Sequence, residues 1–251
     1  MRYIFTIAFV VFSLVSKGQG LIPEIGTSYI FSAPRGTMQD NIKNANGITL
    51  DFYLTPKEKR YSFGFETSFN GYGHDKSRQT YTLDDGSTAP MDIIVNNNFY
   101  NVMLAGRYFL GTGKIQPFIT GKMGYSFFHT KLSVYDPDDM DNCEPVDANV
   151  LNKDGSIIFS AGAGLRVDLL PKKSPGLLSL NISANYSAGG KVNYMNVDAP
   201  THSHVAHTSD VYVKFINTQT QVTHEHHVGN VYSSSIELLD FRLGAFVRLG
   251  R

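Results

Sequence analysis

Beyond a short leader, apolar and polar residues alternate with a period of two in eight separate stretches of the chain. That period puts the two sets on opposite faces of a β-strand. The stretch 178–188 is the most regular: Leu178, Leu180, Ile182, Ala184, Tyr186 and Ala188 interleave with Ser179, Asn181, Ser183, Asn185 and Ser187. In 157–168, Ile157, Phe159, Ala161, Ala163, Leu165 and Val167 oppose Ser160, Gly162, Gly164, Arg166 and Asp168. Tyr61, Phe63, Phe65 and Phe69 alternate with Ser62, Gly64, Glu66 and Ser68. Ile119, Met123, Tyr125 and Phe127 alternate with Gln116, Thr120, Lys122 and Ser126. Less regular stretches cover 22–33, 46–55, 98–110 and 232–249.

Soluble antiparallel sheets alternate too, so the connections decide the architecture. Three are short and rich in Gly, Pro and Lys, at 55–59, 111–114 and 170–176. Between them lie long polar segments at about 34–45, 71–97, 132–155 and 190–231. Short turns on one side and long loops on the other are the pattern of a transmembrane barrel. The expected fold is all-β: an eight-stranded antiparallel up-and-down transmembrane β-barrel, with four long extracellular loops and both termini periplasmic.

Met1-Arg2 precedes an apolar run from Ile4 to Val15, with small residues at Ser16 and Gly18. This reads as a cleaved secretory signal over 1–18, leaving 19–251 for the barrel. The run is too short to span a membrane as a helix, and no later segment reaches about 18 apolar residues. Cys143 is the single cysteine, which excludes an internal disulfide and a thiolate zinc cluster. Zero net charge gives no pointer to nucleic acid. Without Trp, interfacial girdles must come from Tyr and Phe: Phe52, Tyr61 and Tyr108 at the inner rim, Tyr100, Phe127 and Tyr186 at the outer one.

The polar face carries balanced charge. Glu24, Asp51, Glu66, Asp168 and Asp240 are expected to point inward with Arg107, Lys122, Arg166, Arg242 and Arg248. An eight-stranded barrel is just wide enough for side chains to fill it. Opposite charges confined there should pair, because an unpaired buried charge is costly. The expectation is a closed plug of ion pairs rather than a water-filled pore.

On this architecture, and with weaker local signatures at Gly189-Gly190-Lys191-Val192 and Leu243-Gly244-Ala245-Phe246, residues 21–251 resemble the small eight-stranded outer-membrane barrels. These are the OmpA-transmembrane, OmpX and opacity-protein type, in the form common in Bacteroidota. The resemblance implies the outer membrane of a Gram-negative bacterium, with outer-membrane lipid around the barrel.

Candidate chemistry gathers in the last loop. His202, His204, His207, His224, His226 and His227 lie there, with Asp210 and Glu225 among them. The segment 211–216 alternates like a strand, and a hairpin turning near Asn217-Thr218 would set Ser209–Asp210 opposite Glu225–His226. Neutral imidazoles so gathered suit zinc or another divalent transition metal, against the reading of a solvated polar loop. The acidic run from Asp136 to Glu144 lacks the EF-hand spacing and reads as solvated. For catalysis, Ser126, Glu66 and His129 are the only loose grouping, and their faces disagree.

The expected function is therefore non-enzymatic: extracellular loops that bind a surface ligand or an envelope partner, the barrel then acting as an accessory subunit. Ile93, Ile94, Val213 and Phe215 would form the docking surface. The alternatives are a narrow channel, metal capture by the histidine loop, or a lipid A-modifying enzyme.

Overall fold

The computed structural model describes residues 20–57, 59–82, 86, 88–138, 144–169, 177–197, 208–217 and 222–249. Nine strands form one sheet: β1 (Leu21–Pro34), β2 (Ala45–Pro56), β3 (Tyr61–Thr82), β4 (Thr88–Phe109), β5 (Ile115–Tyr135), β6 (Asp147–Asp168), β7 (Leu177–Asn196), β8 (Ser209–Asn217) and β9 (Val222–Arg248). Neighbours run in sequence order from β1 to β7 and then to β9, all antiparallel, and β9 pairs back onto β1 from Glu24↔Arg248 to Pro34↔Leu238. This last pairing closes an eight-stranded barrel and removes its sheet edges. The additional strand, β8, joins β9 outside that ring.

In the half of the barrel nearest the short turns, alternation does what the sequence predicts. Ile25, Ile48, Leu50, Phe63, Phe65, Val102, Leu104, Ile119, Met123, Ile157, Phe159, Ile182 and Leu243 all face outward and are exposed. An exposed belt of this size suits lipid and no aqueous surroundings. Tyr61 and Tyr108 are register partners at its lower edge. Phe69, Tyr100 and Phe127 align across β3, β4 and β5 at its upper edge, the first two rings 5.1 Å apart. From Tyr61 to Phe69 is about 27 Å of strand at ~3.4 Å per residue, which after tilting is close to the roughly 25 Å apolar band of membrane barrels. Phe52 is not at the inner rim. It pairs with Phe65 in the middle of the belt, with ring centroids 5.4 Å apart.

Three of the four long connections are largely β-structure. The strands β3, β4 and β6 each run 22 residues, about twice the 9–11 needed to cross a bilayer. The segments 71–82, 88–97, 132–135, 147–155, 190–196 and 222–231 thus continue the barrel strands beyond the belt. Their alternation is harder to read because its polarity reverses. Below, the outward face is apolar; above, Met91, Ile93, Val95, Leu132 and Val134 point inward. Register shifts at Gly71/Gly73, Thr130/Lys131 and Ala188/Lys191 add a change of phase.

The first long connection is different. After β1, Gly36–Asp40 forms a 3-10 turn. Gly36 enters it at φ 55, a left-handed backbone that a residue with a Cβ adopts at a cost. Met38 from this turn is fully buried. It drops into the barrel mouth instead of lying as a surface loop.

Candidate functional site

The lumen is built in three layers. Nearest the short turns, Glu24 on β1 receives Arg166 from β6, which also donates its Nε to Asp168 Oδ1 at 2.9 Å. Gln116 donates to Asp168 Oδ2 at 3.0 Å, and Arg248 approaches Glu24 at 3.8 Å. One step higher, Glu66 on β3 is the hub. Lys122 from β5 and Arg242 from β9 each reach its Oε2 at 2.6 Å, and Arg107 from β4 reaches Oε1 at 3.2 Å. Tyr53 donates its hydroxyl to the same oxygen as Arg107. Arg242 also approaches Asp51 at 3.4 Å, and the Arg107 guanidinium lies 3.7 Å from the centroid of the Tyr53 ring. The inward charged side chains are all buried except that of Arg248, which is 21% exposed.

Arg166 with Glu24, and Lys122 and Arg242 with Glu66, join strands that are not neighbours in the sheet, so these pairs cross the lumen rather than line it. Charge-assisted bonds of this kind satisfy each carboxylate several times, which offsets the desolvation of ions in a narrow interior. Asp240 is held differently. It accepts from Ser32 and Ser187 instead of from a cation.

The middle layer is uncharged and polar apart from Asp240. Ser68 accepts from Asn70 and from Asn101 at 3.0 and 3.1 Å, and Ser160 and Ser187 share a 3.0 Å bond. A cavity of about 20 Å³ sits between this layer and Glu66, bounded by Asn101, Lys122, Asp240 and Arg242. That volume holds about one water molecule.

The top layer is apolar and aromatic. Tyr72, Phe99, Phe128, Tyr194, Tyr232, Ile236 and Leu238 pack together inside the barrel, with Met38 and Ile42 of the first connection closing over them. Asn41 ties that lid down by donating to Tyr194 Oη at 3.0 Å, and Tyr194 shares a 2.9 Å bond with Ser234. Asn97 on β4 accepts from Thr130 and donates to the Met195 carbonyl on β7 at 2.8 Å. Strands β4 and β7 are separated by two others, so this bond crosses the lumen. The expectation of a polar interior is corrected here: the charged plug is one of two barriers, and the second is hydrophobic.

Above the rim, β8 takes the place that β1 vacates along β9. Val211 and Val213 pack onto a second buried cluster of Met91, Ile93, Val95, Leu132, Val134, Met195 and Val228. This corrects the expected docking surface. Ile93 is 3% exposed and Val213 packs against the same core, so neither is available to a partner. The side chain of Phe215 lies outside the described residues.

The histidine group is also rearranged. Between β8 and β9, Asp210 pairs with Asn230 rather than with Glu225–His226, because Asn217 pairs with Val222. The side chains of His224 and His226 lie outside the described residues. His227 Nε2 bonds Asn230 Oδ1 at 2.7 Å and lies 3.7 Å from Asp210. His202, His204 and His207 lie outside the described residues, as do the leader and Cys143. Among the described residues, no three His, Cys, Asp or Glu side chains converge as metal ligands. Ser126 and Glu66 face the lumen and His129 faces outward, so that trio does not assemble.

No protein-family model matches the chain, and no curated protein matches its sequence. Three solved structures illustrate what it resembles. Neisserial surface protein A is 9% identical, covering 93% of this chain and 98% of that one with a TM-score of 0.41. A major outer membrane protein from Thermus thermophilus is 12% identical, with coverage of 90% and 99% and a TM-score of 0.44. The outer membrane protease OmpT from Escherichia coli is 10% identical, with coverage of 94% and 98% and a TM-score of 0.35. The barrel itself stands on the pairing of β9 with β1.

Proposed function

We propose that this chain is a non-conducting, non-enzymatic protein of the outer membrane. Its short turns lie in the periplasm, and its extended hairpins stand outside the cell as a rigid platform for an envelope protein or surface ligand. The cross-lumen bond from Asn97 to the Met195 carbonyl carries the first part, since it ties together strands that are not neighbours, above the buried aromatic layer. The buried cluster around Ile93 and Leu132 supports the second, because it stiffens hairpins that a membrane staple would not need.

The test has two arms. In planar bilayers, purified wild type is expected to give a flat current record; reproducible channel steps would overturn the closed reading. In cells, proteins crosslinked to the wild type are compared with those crosslinked to a variant whose 74–95 hairpin is replaced by a tight turn. Loss of a specific partner, with the shortened barrel still folded, supports the platform. Identical crosslinking profiles would overturn it.

A further inference from the structure

Just above the aromatic upper edge of the belt, the outward face of β5 and β6 carries three basic side chains in one cluster. His129 follows Phe127 on β5 by one outward position, and its register partner on β6 is Lys153. Lys131 is the next outward residue on β5. Directly opposite residues on one face of a sheet have Cβ atoms about 4.5–5.5 Å apart, so His129 and Lys153 are side by side. Like charges in that arrangement oppose each other, and among the described residues neither lysine has an ion-pair partner. Partial burial, then the ammonium groups of Lys131 and Lys153, hold the His129 imidazole below its ordinary pKa.

The neighbours complete a binding surface. On β4, Asn98 pairs with His129 and Asn96 with Lys131, which adds two amides to the same outward face. Below, Gly155 leaves room for the Tyr125 ring, which packs 4.5 Å from Phe127 and floors the cluster with aromatic surface. His74 on β3 shares a 2.7 Å bond with Asn96 Oδ1, and Lys76 and Arg78, higher on the same strand, are already committed to Asp92 at 2.9 and 2.8 Å. Unpaired lysines therefore occur at the level where lipid headgroups meet the belt.

We infer that His129, Lys131 and Lys153, with Asn96 and Asn98, form a binding site for the phosphate of an anionic membrane lipid whose acyl chains lie along Tyr125 and Phe127. Two positive charges without an internal counterion attract an anion, and one anchored in the bilayer is delivered at this height. The same contacts would accept free phosphate, so the test separates the two sources.

The full chain is folded in detergent micelles, its folding checked by heat-modifiable gel migration, and retained lipid is counted by native mass spectrometry. The probes are a bisphosphorylated lipid A, the same lipid without phosphates, and inorganic phosphate as competitor. Wild type is expected to retain the phosphorylated form roughly tenfold or more over the other, as two lysines at an anionic surface would give. Lys131→Gln/Lys153→Gln should abolish that preference, and Lys131→Arg/Lys153→Arg should keep it. Lys114→Gln, which changes an exposed lysine in the short turn between β4 and β5 at the opposite end of the barrel, should leave it intact. Equal retention by wild type and the Gln double variant would overturn the site, and so would an equal loss in Lys114→Gln. Displacement by millimolar inorganic phosphate would reassign it from lipid to a soluble anion.

Discussion

Phe99 on β4 and Phe128 on β5 are register partners whose rings stack inside the barrel with centroids 5.2 Å apart and planes 24° from parallel. Both are fully buried. The stack marks the height at which the lumen changes from polar to apolar. Truncating either ring removes contacts and leaves a cavity, at a cost of about 3–5 kcal/mol. Phe128→Ala is therefore expected to unfold at a clearly lower denaturant concentration than wild type in lipid vesicles. An unchanged midpoint would mean that the layer is not packed as described.

Arg166 crosses the lower lumen from β6 to Glu24 on β1 and also holds Asp168. Arg166→Ala removes the nearest cation from both carboxylates, leaving Gln116 on Asp168 and only the more distant Arg248 and Arg107 beside Glu24, and breaking a buried pair costs up to about 3–5 kcal/mol. Stability should fall, while conductance in planar bilayers should stay flat because the aromatic layer and the Asn97–Met195 bond remain. A channel opened by this one substitution would show that the charges alone keep the lumen shut.

Asp92, on the projecting part of β4, accepts from Arg78 Nε at 2.8 Å and is 2.9 Å from Lys76 Nζ. Those hydrogen bonds, Arg78 first, lower its pKa to about 2. A depressed carboxylate pKa contributes stability that is complete above the unfolded value near 3.8 and is lost as pH falls through the folded value near 2. The β3–β4 hairpin should thus hold from neutral pH down to the unfolded value and loosen progressively below it. Carbon NMR of the Asp92 carboxyl is the measurement, and Arg78→Ala should move its midpoint upward. A wild-type midpoint at the ordinary aspartate value would remove the pairing.

Gly36 combines a left-handed backbone with close approach to the Glu237 carboxylate, which a Cβ would meet at 2.6 Å. The backbone alone costs a non-glycine residue about 1–2 kcal/mol. Gly36→Ala is expected to lower stability by at least that much and to raise hydrogen exchange at Ile42, whose amide donates to the Met38 carbonyl at 3.1 Å. Unaltered exchange there would separate Gly36 from the lid.

The lower barrel was legible because its two faces differ so sharply. Leu178 to Ala188 meets lipid on one side and a hydrogen-bonded lumen on the other, so a period of two survives in plain residue types. The upper part alternates as well, but Ile94 stands outward beside inward Ile93 and Val95, and the bulge at Gly71/Gly73 moves the phase. Contrast between faces is weaker there, and the pattern reads as a polar loop. Met38 had no signal at all, since a single apolar residue in a short turn has no period. The Asn97–Met195 bond joins residues 98 positions apart, a relation that no local pattern encodes. His129 was placed on the outward face from sequence, yet its neighbour Lys153 belongs to another strand and became visible only through the register.

The 27 residues of β9 pair with β7, with β1 in the lower part and with β8 in the upper part. Both tiers consequently wait for the same last stretch of chain. Until it arrives, β1 and β7 have open edges and the cluster around Ile93 lacks Val228. A nascent chain paused before Val222 has neither a sealed wall nor a finished crown, and the same strand completes both. Chaperoning before insertion must then shield the whole chain at once, because no half of it can be finished ahead of the other.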